Sequence, residues 1–329
     1  MDVLRRDLGL SGEPVRWFPI AGGQSNPTFI LAFGKQEVVL RKRPPGPLLP
    51  SAHAVDREYR VMKALHAAGF PVPRPLLLHE EDDLAGTAFY VMERVHGRVF
   101  HDASLPGLSP AHRREATLDA ARTLAALHRI DPVAIGLGDF GRPEGYFARQ
   151  VARWRKQWDL SADAPNADIE RVGAWLAANL PPETGPARIV HGDYRMGNLM
   201  LHPTEPRVVA VLDWELSTLG APLADLAHFC TYSYRMRPDE YGGTLGLDLG
   251  VLGLPDEAAF RDAYLDAVGE GPRPGTFHAV FALFRNAAIF EGIAGRARAG
   301  NAASANAGEV GRLAAVLARR AAELVETDG

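Results

Sequence analysis

The sequence predicts an α+β protein of two unequal lobes: a small antiparallel β-sheet lobe carrying one helix, then a larger, mainly helical lobe. Three observations predict it. Short β-branched and aromatic runs separated by glycine-bearing turns fill residues 15–43, one amphipathic stretch at 51–68 follows them, and beyond residue 109 the apolar spacing becomes helical over most of the chain. A length of 329 residues suits two lobes better than one core.

Composition narrows the function classes. Hydrophobic residues at 47% and charged residues at 23% are ordinary for a globular chain and indicate neither disorder nor a membrane span. The opening MDVLRRDLGL is too polar for a secretory signal, so a cytoplasmic location is expected. A formal charge of -4 supplies no basic stripe, and nucleic acid is not an expected partner. Cys230 is the only cysteine, which removes internal disulfides and cysteine-rich metal sites; a metal would be held by oxygen.

In the first lobe the spacing predicts strands at Val15–Ile20, Thr28–Phe33 and Glu37–Arg41, with Gly34-Lys35 as a turn. The first connection, Ala21 to Pro27, contains Gly23, Ser25 and Asn26. Glycine lets backbone N–H groups approach a phosphate and the side chains add donors, although a hairpin tip without a ligand reads the same way. Alternation in Val38-Val39-Leu40-Arg41 puts Val39 and Arg41 on one face. This run stands where kinases carry V-A-I-K, so Val39 would touch adenine and Arg41 the phosphates. Lys42 is one residue out of register and should face away. The helix at 51–68 places Glu58 on the apolar stripe of Val55, Met62 and Leu65, where a carboxylate needs a partner. Arg41 is that partner in the kinase pattern; Arg57 or Lys63 is the alternative.

The second lobe opens with Ser109-Pro110, an N-cap followed by proline in the first turn, and runs helically to His128. Further helices are expected over Gly145–Trp158, Asp168–Leu180, Thr276–Ala299 and Val310–Val325, with a loop or lid between Arg235 and Gly253. Trp154 and Trp158 read most simply as packing residues. Arg149, Arg153, Arg155 and Lys156 beside them form either a solvated face or a cluster that would receive an anionic substrate. Arg285, Glu291 and Arg296 are expected to be available to a cleft.

The chemistry concentrates in Arg188 to Glu215. Ile189-Val190 delivers His191-Gly192-Asp193 to a strand end, Asn198 follows five residues later, and the β-branched run Val208 to Leu212 carries out Asp213; the turn His202 to Pro206 makes the last two segments a hairpin. Asp-x4-Asn is the spacing of the kinase catalytic loop, and a later strand-end Asp meets its second magnesium requirement. Phosphoryl transfer asks mainly for positioning and charge neutralisation. Asp193 is therefore the candidate base, with Asn198 and Asp213 as candidate Mg²⁺ ligands. Each residue alone reads equally as a loop or cap residue; the set at these spacings does not.

The spelling H-G-D-x-x-x-x-N followed by V-x-D-W-E resembles the aminoglycoside phosphotransferase and choline kinase-like family of small-molecule kinases, with Gly192 where protein kinases carry Arg. The resemblance implies a bilobal protein-kinase-like fold, an N-terminal ATP-binding lobe at 1–96 and a catalytic, substrate-binding lobe at 97–329. It also implies a hinge after Phe89–Glu93, with adenine bonding backbone near Met92, Glu93 and Val95, and a brace for the catalytic loop at Asp225. The runs Gly23 to Thr28, Leu40 to Gly46 and Ser51 to Glu58 look like the kinase domains fused to acyl-CoA dehydrogenases. By that similarity the acceptor would be a 4-hydroxyacyl-CoA, a CoA thioester; aminoglycoside, choline or sugar are alternatives. A nucleotide-binding pseudokinase regulating a partner is the rival from another class, and Arg41 at the usual lysine position is its one argument.

Overall fold

Strand alternation carries through the first lobe of the computed structural model, which describes residues 4, 6, 8–9, 14–20, 26–45, 54–183, 185–269, 273–300 and 307–328. Strands β1 (Pro14–Pro19), β2 (Thr28–Phe33) and β3 (Gln36–Lys42), helix α1 (Val55–Ala67), and strands β4 (Pro75–His79) and β5 (Phe89–Glu93) form it. The sheet order is β1-β2-β3-β5-β4, antiparallel throughout. Val38 and Leu40 pack with Leu31, Phe33, Phe89 and Val91 on the outer face. Arg41 pairs in register with Tyr90 and Val39 with Met92, so these four side chains share the opposite face. Gly34 turns β2 into β3 with φ 59°.

Strand β4 was not expected. Its position explains it: β4 lies at the sheet edge and Pro75 is its first residue, where a missing N–H costs nothing. Helix α1 buries Val55, Glu58, Val61, Met62 and Leu65. Its apolar residues belong to one core with the second lobe, and Arg57 donates to the Phe140 carbonyl at 2.8 Å while stacking on its ring. Helix α1 is thereby fixed to the larger lobe.

That lobe adds β6 (Arg98–Val99), α2 (Pro110–Arg129), α3 (Tyr146–Ser161), α4 (Ala167–Ala178), β7 (Arg188–Val190), β8 (Leu199–Leu201), β9 (Val208–Val211) and β10 (Thr218–Gly220). Helices α5 (Pro222–Tyr234), α6 (Glu257–Val268), α7 (Thr276–Arg298) and α8 (Leu313–Asp328) complete it. Ser109 caps α2 through His112 N–H at 3.3 Å, with Pro110 in the first turn. The β8–β9 hairpin forms as expected and takes β6 on its other side. Strand β10 was not expected; it is a three-residue partner for β7. The 235–253 segment is a series of turns with two four-residue helices. Among the described residues α7 alone is long and apolar enough to cross a membrane, and it lies 78% buried in this lobe.

Candidate active site

Two buried residues build the catalytic loop from beneath. His191 is fully buried; its Nε2 lies 2.8 Å from the Leu212 carbonyl and its Nδ1 accepts from Asp193 N–H at 3.1 Å. A carbonyl only accepts, so Nε2 carries the proton. Asp225, in the first turn of α5, accepts from His191 N–H at 2.6 Å and Gly192 N–H at 2.9 Å, and its carboxylate lies 3.3 Å from His128 Nε2. Burial pushes the Asp225 carboxyl up, but the hydrogen bonds from His128 and from Gly192 N–H outweigh this and hold it low. Gly192 has φ 84°, and a Cβ there would stand 2.6 Å from the Leu216 carbonyl oxygen. No larger residue fits.

Asp193 then projects with its side chain 23% exposed. Its Oδ1 accepts from His228 Nε2 at 2.8 Å, and its Oδ2 accepts from Asn198 Nδ2 at 2.7 Å and Arg195 Nε at 3.3 Å. Burial alone would raise this carboxyl; the Arg195 charge, the His228 hydrogen bond and Arg285 reverse it, and it lies well below the usual carboxylate range. Asn198 spends Nδ2 on Asp193, at both Oδ2 and the carbonyl, which leaves its Oδ1 as an acceptor. Its own carbonyl accepts from Leu212 N–H at 2.8 Å, which ties it to the residue before Asp213.

Asp213 sits in the left-handed region at φ 66°, the turn that ends β9. Its Oδ1 accepts from Arg41 Nη2 at 2.7 Å, and Glu215 is 3.4 Å from the same nitrogen. Arg41 Nε lies 2.9 Å from Glu58 Oε2, an ion pair in which the N–H is not aimed along the contact. Glu58 also accepts from Asn26 Nδ2 at 2.6 Å and Tyr90 hydroxyl at 3.0 Å. Burial raises the Glu58 carboxyl despite Arg41. Burial would lower the Arg41 guanidinium, but Glu58 and the other acidic groups hold it above its ordinary value.

The predicted residues therefore divide as follows. Asp193, Asn198 and Asp213 meet at one place with Arg41 and Glu58, while Asn26 supports Glu58 from behind. Val39 and Met92 share the sheet face that leads to Arg41; Glu93, bonded to Arg74 N–H at 3.0 Å, and half-buried Val95 lie where the chain leaves that sheet. Lys42 turns away and donates to the Ala85 carbonyl at 2.5 Å. Gly23 and Ser25 lie outside the described residues. Arg285 is not open to a cleft, being buried on the catalytic loop, whereas Glu291, paired with Arg298 at 2.6 Å, lines a cavity with Trp158 and Asp163.

Sequence reasoning missed His228, Arg195 and the role of Arg285. His228 is fully buried between Asp193 and Arg285, whose Nη1 is 3.1 Å from its Nδ1; Arg285 Nη2 donates to the Gly192 carbonyl. An arginine only donates, so His228 Nδ1 is the acceptor and Nε2 carries the proton given to Asp193. Burial and Arg285 keep this imidazole neutral, below its ordinary 6.5. The signal was present: His228 follows Asp225 by three residues, one helix face.

Compared with known proteins, residues 17–278 match the phosphotransferase enzyme family. Acyl-CoA dehydrogenase family member 11 of Gallus gallus is 44% identical over 308 residues, 92% of this chain and 40% of that protein. The chain thus spans well under half of the curated relatives it matches. A crystal structure from Ralstonia eutropha JMP134, named as a candidate aminoglycoside phosphotransferase, is 42% identical with a TM-score of 0.89, covering 99% of this chain and 97% of that one. A thermostable mutant of aminoglycoside phosphotransferase APH(4)-Ia, in a ternary complex with AMP-PNP and hygromycin B, shares the fold at TM-score 0.64 and 14% identity, over 98% and 97% of the two chains.

Proposed function

Because the chain belongs to the phosphotransferase enzyme family, we propose that it transfers the γ-phosphoryl group of ATP, with Mg²⁺, to a hydroxyl of a small molecule. The carrying observation is that Asn198 is bonded to Asp193 at 2.7 Å and, through its carbonyl, to Leu212 N–H beside Asp213, while Asp213 takes Arg41 of the first lobe at 2.7 Å. The preferred acceptor is a 4-hydroxyacyl-CoA. Similarity to acyl-CoA dehydrogenase family members supports it. The proposed nucleotide-binding lobe is residues 1–96 and the proposed catalytic, substrate-binding lobe residues 97–329.

In this reading Asp193 takes a hydrogen bond from the acceptor hydroxyl and aims its oxygen at the γ-phosphorus. A carboxylate held so low is a weak base, which suits a loose transition state in which the nucleophile needs orientation more than deprotonation. Its proton passes to Asp193 Oδ late in transfer. Arg195, beside Asp193, meets charge developing on the phosphoryl oxygens. Arg41 holds the donor phosphates and Glu58 holds Arg41. Val39 and Met92 form the floor for adenine, which bonds backbone between Glu93 and Val95, and Gly23 and Ser25 serve as donors to the phosphates.

The donor set fits Mg²⁺. Asn198 Oδ1 and Asp213 Oδ2 are hard oxygens without a hydrogen-bond partner among the described residues, on segments joined by the Asn198–Leu212 backbone bond. Mg²⁺ held there would neutralise phosphate charge.

Incubating the protein with Mg²⁺-ATP and a panel of 4-hydroxyacyl-CoAs, aminoglycosides, choline and sugars, read by product mass, tests the proposal. One class should gain a phosphoryl group. Nucleotide binding with no phosphorylated product would favour a pseudokinase instead.

A further inference from the structure

Charge on α3 divides between two flanks. Arg155 is satisfied, with Asp159 at 3.0 Å and Glu170 at 2.5 Å. Arg149 and Arg153, one turn apart on the other flank, have no carboxylate within ion-pair distance among the described residues; Arg149 donates only to the Arg142 carbonyl at 2.7 Å. The Arg153 guanidinium lies 5.0 Å from the centroid of the Trp154 ring, and that of Arg285 lies 5.3 Å from the same ring. Two cations thus share one indole beside the catalytic loop, because Arg285 is bonded to the Gly192 carbonyl. Burial and the Arg285 charge both lower Arg153. Tyr146 offsets this repulsion only in part, and no carboxylate pairs with Arg153 among the described residues.

The positive charge continues along the seam between α3 and α7. Arg296 follows Arg285 by eleven residues, which returns it to nearly the same helix face about 16 Å farther along the axis. Its Nη1 lies 3.7 Å from where a Cβ on Gly292 would stand, next to Gln157 Nε2 at 3.4 Å. Gln157 is one turn beyond Arg153 on α3. Arg296 also lacks a carboxylate partner among the described residues, unlike its neighbour Arg298, which pairs with Glu291 at 2.6 Å.

Resting on the kinase reading above, we propose that this seam is an anion subsite for the phosphate acceptor: the acceptor carries an anionic oxygen group, carboxylate or phosphate, that sits on Arg153 with Arg149 and Arg296 flanking it. The unpaired guanidinium supplies charge-assisted donors in a planar fork that matches either group. A polyamine acceptor would meet like charge here. A short hydroxy acid would reach Arg153, and a long phosphate-bearing tail would reach Arg296 as well.

The test is calorimetric titration of protein saturated with Mg²⁺-AMP-PNP, so that the nucleotide site is filled. The titrants are a 4-hydroxyalkanoate, its CoA thioester, its uncharged pantetheine thioester and kanamycin. At least one charged acceptor is expected to bind about tenfold or more tightly than the pantetheine thioester. Arg153→Ala should remove that advantage, Arg153→Lys should keep part of it, and AMP-PNP affinity should stay unchanged in both. An Arg296→Ala effect confined to the CoA thioester identifies a phosphate-bearing tail; an effect of Arg153→Ala alone identifies a carboxylate. The subsite is refuted if the pantetheine thioester or kanamycin binds as tightly as the charged acceptors, or if Arg153→Ala leaves their binding intact. Failure of the kinase reading is seen separately, as absence of phosphate on every acceptor when ATP replaces AMP-PNP.

Discussion

Asp193 is governed by a donor that cannot reverse its role. His228 gives Asp193 the Nε2 proton because Arg285 occupies Nδ1, and Arg285 cannot accept. Asp193→Asn should lower kcat by roughly 10²- to 10⁴-fold, the range for a positioned proton acceptor, with AMP-PNP affinity nearly unchanged by calorimetry. His228 acts through Asp193 and is a positioning residue. Losing its hydrogen bond removes one of the contacts that depress the Asp193 carboxyl, so that group titrates at higher pH. Wild-type kcat is expected to be flat between pH 6.5 and 8, since both Asp193 and His228 are held below their ordinary values, 3.8 and 6.5. In His228→Ala an acid limb should rise toward the ordinary carboxylate range, with KM for ATP unchanged, and His228→Gln, which keeps a donor, should restore part of the profile. An acid limb centred above pH 6.5 in the wild type would contradict this assignment. These residues were unevenly legible. Asp193, Asn198 and Asp213 are close in sequence and carry a spacing, whereas His228 and Arg285 lie 35 and 93 or so positions away, and only packing of α5 and α7 brings them in.

At the scale of elements, the hairpin β8–β9 and helix α1 could be read directly because their periodicity belongs to the segment itself. Strands β4 and β10 could not, because three or five residues become a strand only through the partner that accepts them. The brace at Asp225 depends on such pairing: β10 leads directly into α5, whose first turn presents the carboxylate to the loop that follows β7. Asp225→Ala would leave the His191 and Gly192 N–H groups buried without acceptors, each costing about 1–3 kcal/mol. Its thermal midpoint should drop by several degrees in a melting experiment. Retention of the wild-type midpoint would show that another acceptor takes over. Asp213→Ala should abolish the gain in nucleotide affinity that Mg²⁺ confers, measured by titrating AMP-PNP with and without the metal; an undiminished gain would remove Asp213 from the metal site.

At the scale of the whole molecule, one guanidinium ties the first lobe to the second. Because α1 packs into the larger lobe, Glu58 is fixed relative to Asp213, and Arg41 on β3 meets Glu58 within its own lobe and Asp213 in the other. Arginine suits that position, since its separate nitrogens meet two carboxylates that the single ammonium of lysine would have to share. Glu58→Gln should raise KM for ATP with a smaller effect on kcat, because it loosens Arg41 without touching the acceptor. The bilobal order was legible from the first strands to the last helix, yet the seam between α3 and α7 was not. Arg149 and Arg153 were read as a cluster, but Arg296 joins them from α7, and which of these charges lacks a carboxylate is a property of the folded surface. The most direct measurement is phosphoryl transfer from ATP labelled at the γ-phosphate, with Mg²⁺, comparing wild type and Asp193→Asn at equal nucleotide occupancy. Label is expected on an acceptor hydroxyl with the wild type and almost none with Asp193→Asn. Equal transfer by the two proteins, or nucleotide binding with no labelled acceptor from the wild type, would contradict it.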